Sequence, residues 1–200
     1  MKQPAKSPSL QKAGDNRLRI IGGQWRGRKL AFPDVEGLRP TGDRIRETLF
    51  NWLAPEIVGA RCLDIFAGSG ALGIEALSRG ADYCLMVERD RQATSALRNN
   101  LALLNCSRAA VRDDDALAFI AKGNSEPAYD VVFIDPPFSL SAWPKVIDSL
   151  VQGQWLAANA TIYIEAPIDY PLMAPADWSL HRDKRAGKVA YRLYYRNAEA

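Results

Sequence analysis

Apolar residues recur along this 200-residue chain in two alternating rhythms. Cys62-Leu63-Asp64-Ile65-Phe66, the stretch from Asp82 to Val87, and Tyr129-Asp130-Val131-Val132-Phe133-Ile134 are dense in β-branched and aromatic side chains, as buried strands are. Between them run stretches with helical spacing: Gly70 to Arg79, closed by Gly80, and Arg91 to Leu104, with Ala93, Ala96, Leu97 and Leu101 on one face. A short strand ending near Arg112, a short helix from Asp115 to Ala121, a helix over 143–151 and a strand Thr161-Ile162-Tyr163-Ile164 continue the alternation. Such alternation predicts an α/β fold: a mostly parallel sheet with helices on both faces and ligands at the carboxyl ends of its strands. The end departs from the rhythm. Trp178 to Arg185, Ala186-Gly187 and Lys188 to Arg196 read as an antiparallel hairpin.

The beginning departs too. Residues 1–16 are polar and without period, and predict a disordered tail. Leu18-Arg19-Ile20-Ile21 and Arg28-Lys29-Leu30-Ala31-Phe32 flank a glycine-rich link and predict a hairpin. A helical segment follows from Thr41, its Ile45, Leu49, Trp52 and Leu53 spaced for one buried face. The chain thus divides into a tail, a small hairpin-helix extension over 17–55 and a body over 56–200. Charge follows this division. Residues 1–46 hold eleven basic and four acidic groups, 182–196 six and one, and 47–181 nine and seventeen. An acidic centre with basic ends suggests a catalytic body flanked by surfaces for a polyanion.

Several classes fall away. No apolar run approaches the ~20 residues of a membrane span, and the polar start lacks the apolar core of a secretory signal. Cys62, Cys84 and Cys106 are odd in number and show no C-x-x-C spacing, which suits free thiols in a reducing cytoplasm. With His181 the lone histidine, neither a His-rich metal site nor a Ser/His/Asp triad is supported, and no metal is expected.

The richest four residues are Asp135-Pro136-Pro137-Phe138, placed where an apolar strand runs out. Two prolines fix φ and remove two backbone donors, leaving a stiff corner with a carboxylate, backbone carbonyls and an aromatic ring. Such a corner can grip a flat amino group by its protons while the ring stacks on the base behind it. It is also a good β-to-α turn for purely local reasons.

Asp64-Ile65-Phe66-Ala67-Gly68-Ser69-Gly70-Ala71-Leu72-Gly73 contains a G-x-G-x-x-G between strand and helix, and Glu88, followed by Arg89, closes the next strand. This fits a dinucleotide site, with the acid on ribose hydroxyls. It fits equally a nucleoside without phosphates, such as S-adenosyl-L-methionine. Asp64 favours the latter, because an acid facing the loop repels pyrophosphate but suits an ammonium, unless the loop amides satisfy it. Asp115-Ala116 adds an acceptor for an adenine amino group, or simply a helix N-cap.

Together these residues resemble class I S-adenosylmethionine-dependent methyltransferases, a Rossmann-like fold with a seven-stranded sheet. Across nearly the whole chain they resemble the RsmD family of small-subunit ribosomal RNA methyltransferases. The likeness is carried by Arg19-Ile20-Ile21-Gly22-Gly23, Arg26-Gly27-Arg28-Lys29-Leu30, Arg39-Pro40-Thr41, Arg44-x-Arg46-Glu47-x-x-Phe50-Asn51, the glycine loop, Glu88, Asp115-Ala116 and Asp135 to Phe138. The resemblance implies methyl transfer to the exocyclic N2 of guanine 966 in 16S ribosomal RNA, free or in an assembling subunit; a monomer in the cytoplasm is expected, although the sequence itself does not give the oligomeric state. It makes Asp135, Pro136, Pro137 and Phe138 the catalytic corner. Asp64, Phe66, Ala67, Gly68, Ser69, Gly70, Glu88, Arg89, Asp115 and Ala116 become the cofactor site. Arg17, Arg19, Arg26, Arg28, Lys29, Arg39, Thr41, Arg44 and Arg46 become RNA contacts. Amino methylation of DNA or of protein glutamine, a dinucleotide-dependent reductase and a non-catalytic RNA-binding module remain as alternatives.

Overall fold

The computed structural model describes residues 16–35 and 40–197; the tail over 1–15 and Arg39 lie outside them. The first strands, β1 (Arg17–Arg19) and β2 (Lys29–Ala31), pair antiparallel as the expected hairpin. Leu18 and Leu30 face inward while the flanking Arg and Lys face out, because alternate residues of a strand point to opposite sides. The helix α1 (Asp43–Trp52) follows.

The body is one seven-stranded sheet. Its strands are β3 (Arg61–Asp64), β4 (Tyr83–Glu88), β5 (Ala109–Asp113), β6 (Tyr129–Ile134), β7 (Leu156–Pro167), β8 (Trp178–Ala186) and β9 (Val189–Arg196). The order is β5-β4-β3-β6-β7-β9-β8, with β3 to β7 mutually parallel and the closing hairpin antiparallel. From β3 the chain winds outward to β5, then returns to place β6 on the other side of β3. The crevice between β3 and β6 is therefore the topological switch point, where open α/β sheets bind ligands.

Helices cover both faces. One carries α1, α2 (Gly73–Ser78) and α3 (Arg91–Leu103), the other α4 (Ala116–Ile120) and α5 (Trp143–Gln152). Ile20 and Leu30 of the hairpin and Leu49, Phe50 and Leu53 share one core with Leu97, Phe133 and Tyr191. Packing continues across the expected boundary at residue 55, so the extension forms part of the first helical layer.

Most elements differ from their predicted extent by a residue or two at an end, and two differ by more. The helix after the glycine loop begins at Gly73 rather than Gly70, because Gly68 and Gly70 have φ of 52° and 79°. A right-handed helix cannot include those angles. At Gly70 a Cβ would also press into Leu97 and Ile74. β7 runs well beyond Thr161–Ile164, since a register shift opposite β6 interrupts the apolar alternation that marks its later half.

Candidate active site

The acceptor corner grows directly out of β6. After Ile134 the buried Pro136 and the exposed Pro137 end the strand, and Pro137 caps a single 3-10 turn over Phe138–Leu140. Leu140 N donates to the Pro137 carbonyl, whereas no donor among the described residues takes the Pro136 carbonyl. Phe138 is 38% exposed and leans on Trp143 at 5.8 Å between ring centroids, and Trp143 in turn packs on Tyr170. The corner thus presents a half-buried carboxylate, an available carbonyl and a braced aromatic face.

Asp135 points to the same side of the sheet as α1. Its Oδ2 accepts from the Thr41 hydroxyl at 3.3 Å. Burial, then the charges of Glu165 and Asp64, hold its carboxyl well above the usual range, against the Thr41 hydrogen bond. Thr41, expected as an RNA contact, is instead buried against the Asp135 corner. The segment before α1 folds inward there because it must hand the chain to a helix packed on the sheet.

The glycine turn occupies the end of the adjacent strand β3. Ala67 N donates to the Val87 carbonyl, Gly70 N to Ala67, and Gly73 N to Asp64 Oδ2 at 3.0 Å. Asp64 is buried and pushed up to about 7, chiefly by desolvation and against that amide bond. Satisfaction by loop amides is thus part of its role. Glu88 ends β4 and accepts from Gly68 N at 2.9 Å and Asp90 N at 2.7 Å, which ties the second strand to the turn. Ser69 and Ala67 are buried and Phe66 is half-buried, while Arg89 is exposed. Asp115 caps α4, with Oδ1 accepting from Ala118 N, and Ala116 is buried behind it. The cap engages one of its two carboxylate oxygens.

Four carboxylates, those of Asp64, Glu88, Asp135 and Glu165, therefore cluster at the carboxyl ends of β3, β4, β6 and β7. That donor set fits a ligand with a sulfonium and an ammonium, since opposite charge favours the ionised form of a buried acid. Pyrophosphate would meet repulsion there.

Arg46 requires a correction. It was expected to reach phosphate, yet it is 1% exposed. Its guanidinium donates to the carbonyls of Thr41 and Arg19, to Asp43 at 2.6 Å and to Glu75 at 3.5 Å. Glu75 also accepts from Ile21 N, Gly22 N and Arg79. A buried guanidinium exhausted in this way has no face for RNA. Arg28 is exposed but donates to the Leu103 carbonyl, and Arg17 and Lys29 are exposed on the hairpin. Arg19, Arg26 and Arg44 line one open depression of about 370 Å³, together with Ile20, Ile21, Asp43 and Glu47.

The sequence reading missed Glu165, Tyr163 and Glu75. Glu165 had a visible signal, an acid inside the apolar run Ile162-Tyr163-Ile164-Glu165-Ala166. Glu75 sits on a helix where acids are common, so its burial was legible only from the packing.

Residues 18–195 match a family model described as Conserved hypothetical protein 95. The chain is 53% identical over 188 residues to ribosomal RNA small subunit methyltransferase D of Escherichia coli K12, covering 94% of each. Identity to the protein of the same name in Haemophilus influenzae is 49%, over 88% of this chain and 93% of that one. The solved structure of the yhhF protein of Escherichia coli superposes with a TM-score of 0.85 at 51% identity, covering 92% of this chain and 100% of that one. A Rossmann-like methyltransferase fold, the two glycine-turn and acceptor-corner motifs, and identity of this extent agree: the chain belongs to the RsmD family of methyltransferases.

Proposed function

We propose that this protein transfers a methyl group from S-adenosyl-L-methionine to the exocyclic N2 of a guanine in small-subunit ribosomal RNA, at the position its family resemblance points to, guanine 966. The observation that carries this reading is the meeting of two motifs at one switch point. The glycine turn after β3 and the Asp135 corner after β6 end neighbouring parallel strands, on the side of the sheet that α1 covers.

The guanine amino nitrogen is a poor nucleophile because its lone pair is delocalised into the ring. Asp135 and the Pro136 carbonyl are two acceptors for its protons, and accepting them turns the lone pair out of the ring plane. When bound, the cofactor supplies an electrophilic methyl on sulfur: the N–C bond forms as the C–S bond breaks, and the proton released from nitrogen goes to Asp135. Positioning of this kind supplies up to about 7–11 kcal/mol in model systems. Phe138 stacks on the extruded base, worth ~1–3 kcal/mol, which offsets part of the unstacking. The cofactor is held by the Gly68–Gly70 turn, Glu88 on the ribose hydroxyls, Asp64 toward the ammonium and Asp115 toward the adenine amino group. The RNA backbone lies against Arg19, Arg26 and Arg44, with Arg17, Arg28 and Lys29 beside them.

A dinucleotide-dependent reductase would share the glycine turn, but it leaves the acceptor corner without a task. The test is transfer of labelled methyl to small subunits from cells lacking this modification, followed by mapping of the altered nucleotide. One labelled guanine N2 supports the reading. Label on another base or on protein, or stabilisation against heat by NAD rather than S-adenosylhomocysteine, overturns it.

A further inference from the structure

The closing hairpin holds six basic residues over 182–196 that the methyl-transfer chemistry leaves without a task. They sort into two sets. Arg192 and Arg196 are half-buried and paired, with Asp183 at 3.4 Å and Asp177 at 3.1 Å. Arg196 also donates to the Leu156 carbonyl, so these two belong to the framework of the sheet. Arg182, Lys184, Arg185 and Lys188 are exposed, and among the described residues none of them has an acidic partner.

Strand register carries the last three of these to the catalytic edge. β7 is parallel to β6, with Ile164 beside Ile134. It then continues over 165–167, and Pro167 pairs with Val189 as Val189 pairs with Ala186. The turn over 186–189 therefore stands about 10 Å beyond the level of Ile134, and two to three strand spacings, about 10–15 Å, to its side. Ile168 N donates to the Lys188 carbonyl at 2.9 Å, which fixes the tip to the end of β7. Lys184 Nζ lies 5.8 Å from the centre of the Trp52 ring, itself stacked on Tyr191, so Lys184 emerges on the face that α1 covers. The turn is open to solvent: a Cβ on Gly187 would meet nothing within 4 Å.

Arg19, Arg26 and Arg44 lie on the other side of the corner. Their hairpin docks on α2 and α3 through Glu75 and Asn100, and α2 packs over β4, where a Cβ on Gly73 would press on Met86 and Cys84. In the order β4-β3-β6-β7-β9-β8 the Asp135 corner thus falls between two basic surfaces. A strand that delivers one base into the corner enters from one side and leaves by the other. Its phosphates are repelled by the carboxylates at the strand ends and held where cations stand unopposed. We propose that Arg185 and Lys188, with Lys184 beside them, form a second RNA contact that grips the phosphates on the far side of the extruded nucleotide. The first hairpin and the last then hold the strand at two points astride the corner, fixing its register while one base leaves the stack. The inference rests on the ribosomal RNA substrate proposed for this site.

The test measures binding of small subunits lacking the modification to the full chain across a salt series. Replacing Arg185 and Lys188 together by Gln is expected to lower the slope of log affinity against log salt by about 1.4–1.8, two contacts at about 0.7–0.9 each. Affinity for S-adenosylhomocysteine, by calorimetry, is expected to stay at the wild-type value, which shows that the variant folds. Lys122→Gln, which removes a cation beside α4, should leave the slope unchanged. An unaltered slope in the double variant, or an equal loss per charge in Lys122→Gln, overturns the proposal. Photoreactive benzoylphenylalanine at position 188 supplies the location. Capture of RNA within a few nucleotides of the labelled guanine supports the contact. Capture of RNA elsewhere, of a ribosomal protein alone or of a second copy of this chain refutes it. Failure of the proposed function appears instead as wild-type protein that labels no guanine.

Discussion

Burial changes what a carboxylate beside the glycine turn does with a proton. Asp64, raised to about 7 by desolvation, holds its proton in the folded chain through a range where the unfolded residue, titrating near 3.8, has lost it. Its contribution to stability is therefore complete below about pH 4 and declines as pH rises toward 7. On the proposed role of Asp64, a ligand ammonium favours the ionised form, and binding then expels that proton. S-adenosylhomocysteine is expected to bind more tightly from pH 6 to 8 and then level off, by calorimetry. Asp64→Asn, which still offers an acceptor to the Gly73 amide, should flatten that dependence. Asp135→Ala is expected to abolish transfer while leaving cofactor affinity within about threefold, since a residue that meets only the reacting group contributes little to ground-state cofactor binding. Equal loss of both would show that Asp135 supports the fold instead. At this scale the sequence was informative wherever a residue announces its own geometry: Asp135 between a strand and two prolines, or glycines at positive φ. It was silent on Arg46, since an arginine on a helix looks alike whether it faces RNA or Glu75.

At the scale of elements, the clearest predictions were the ones with local causes. Tyr129–Ile134 was bounded correctly because a dense apolar run meets proline. The start of α2 and the full length of β7 depended on left-handed glycines and on a bulge against a neighbour, neither written in local periodicity. The docking of the N-terminal hairpin is likewise a long-range matter. Glu75 on α2 collects Ile21 N, Gly22 N, Arg46 and Arg79, while Ser78 binds Gly22 and Trp25. Removing one member strands a buried charge. Glu75→Ala is expected to destabilise the chain by about 3–5 kcal/mol, measurable as a lowered urea midpoint. The hairpin meets α2 so closely that a Cβ on Gly23, which has φ of 75°, would collide with the Ser78 carbonyl. Gly23→Ala should therefore weaken RNA binding more than cofactor binding.

For the whole molecule, the relevant quantity is where charge lies rather than its sum of +3. Arg19, Arg26 and Arg44 surround one depression at the hairpin–α1 junction, and among the described residues their guanidiniums have no acidic partner. Replacing all three with alanine should lower the slope of log affinity against log salt by roughly 2, at about 0.7–0.9 per phosphate contact. An unchanged slope would move the RNA path elsewhere.

The knot around Glu75 joins the helix that follows the glycine turn to the segment bearing Thr41. Grafting this arm onto an unrelated body would leave the Arg46 guanidinium with the exposed Asp43 as its acidic partner, without the buried Glu75 that now lies beneath it. Arm and body have to change together, and a substitution at position 46 would be tolerated only alongside one at position 75.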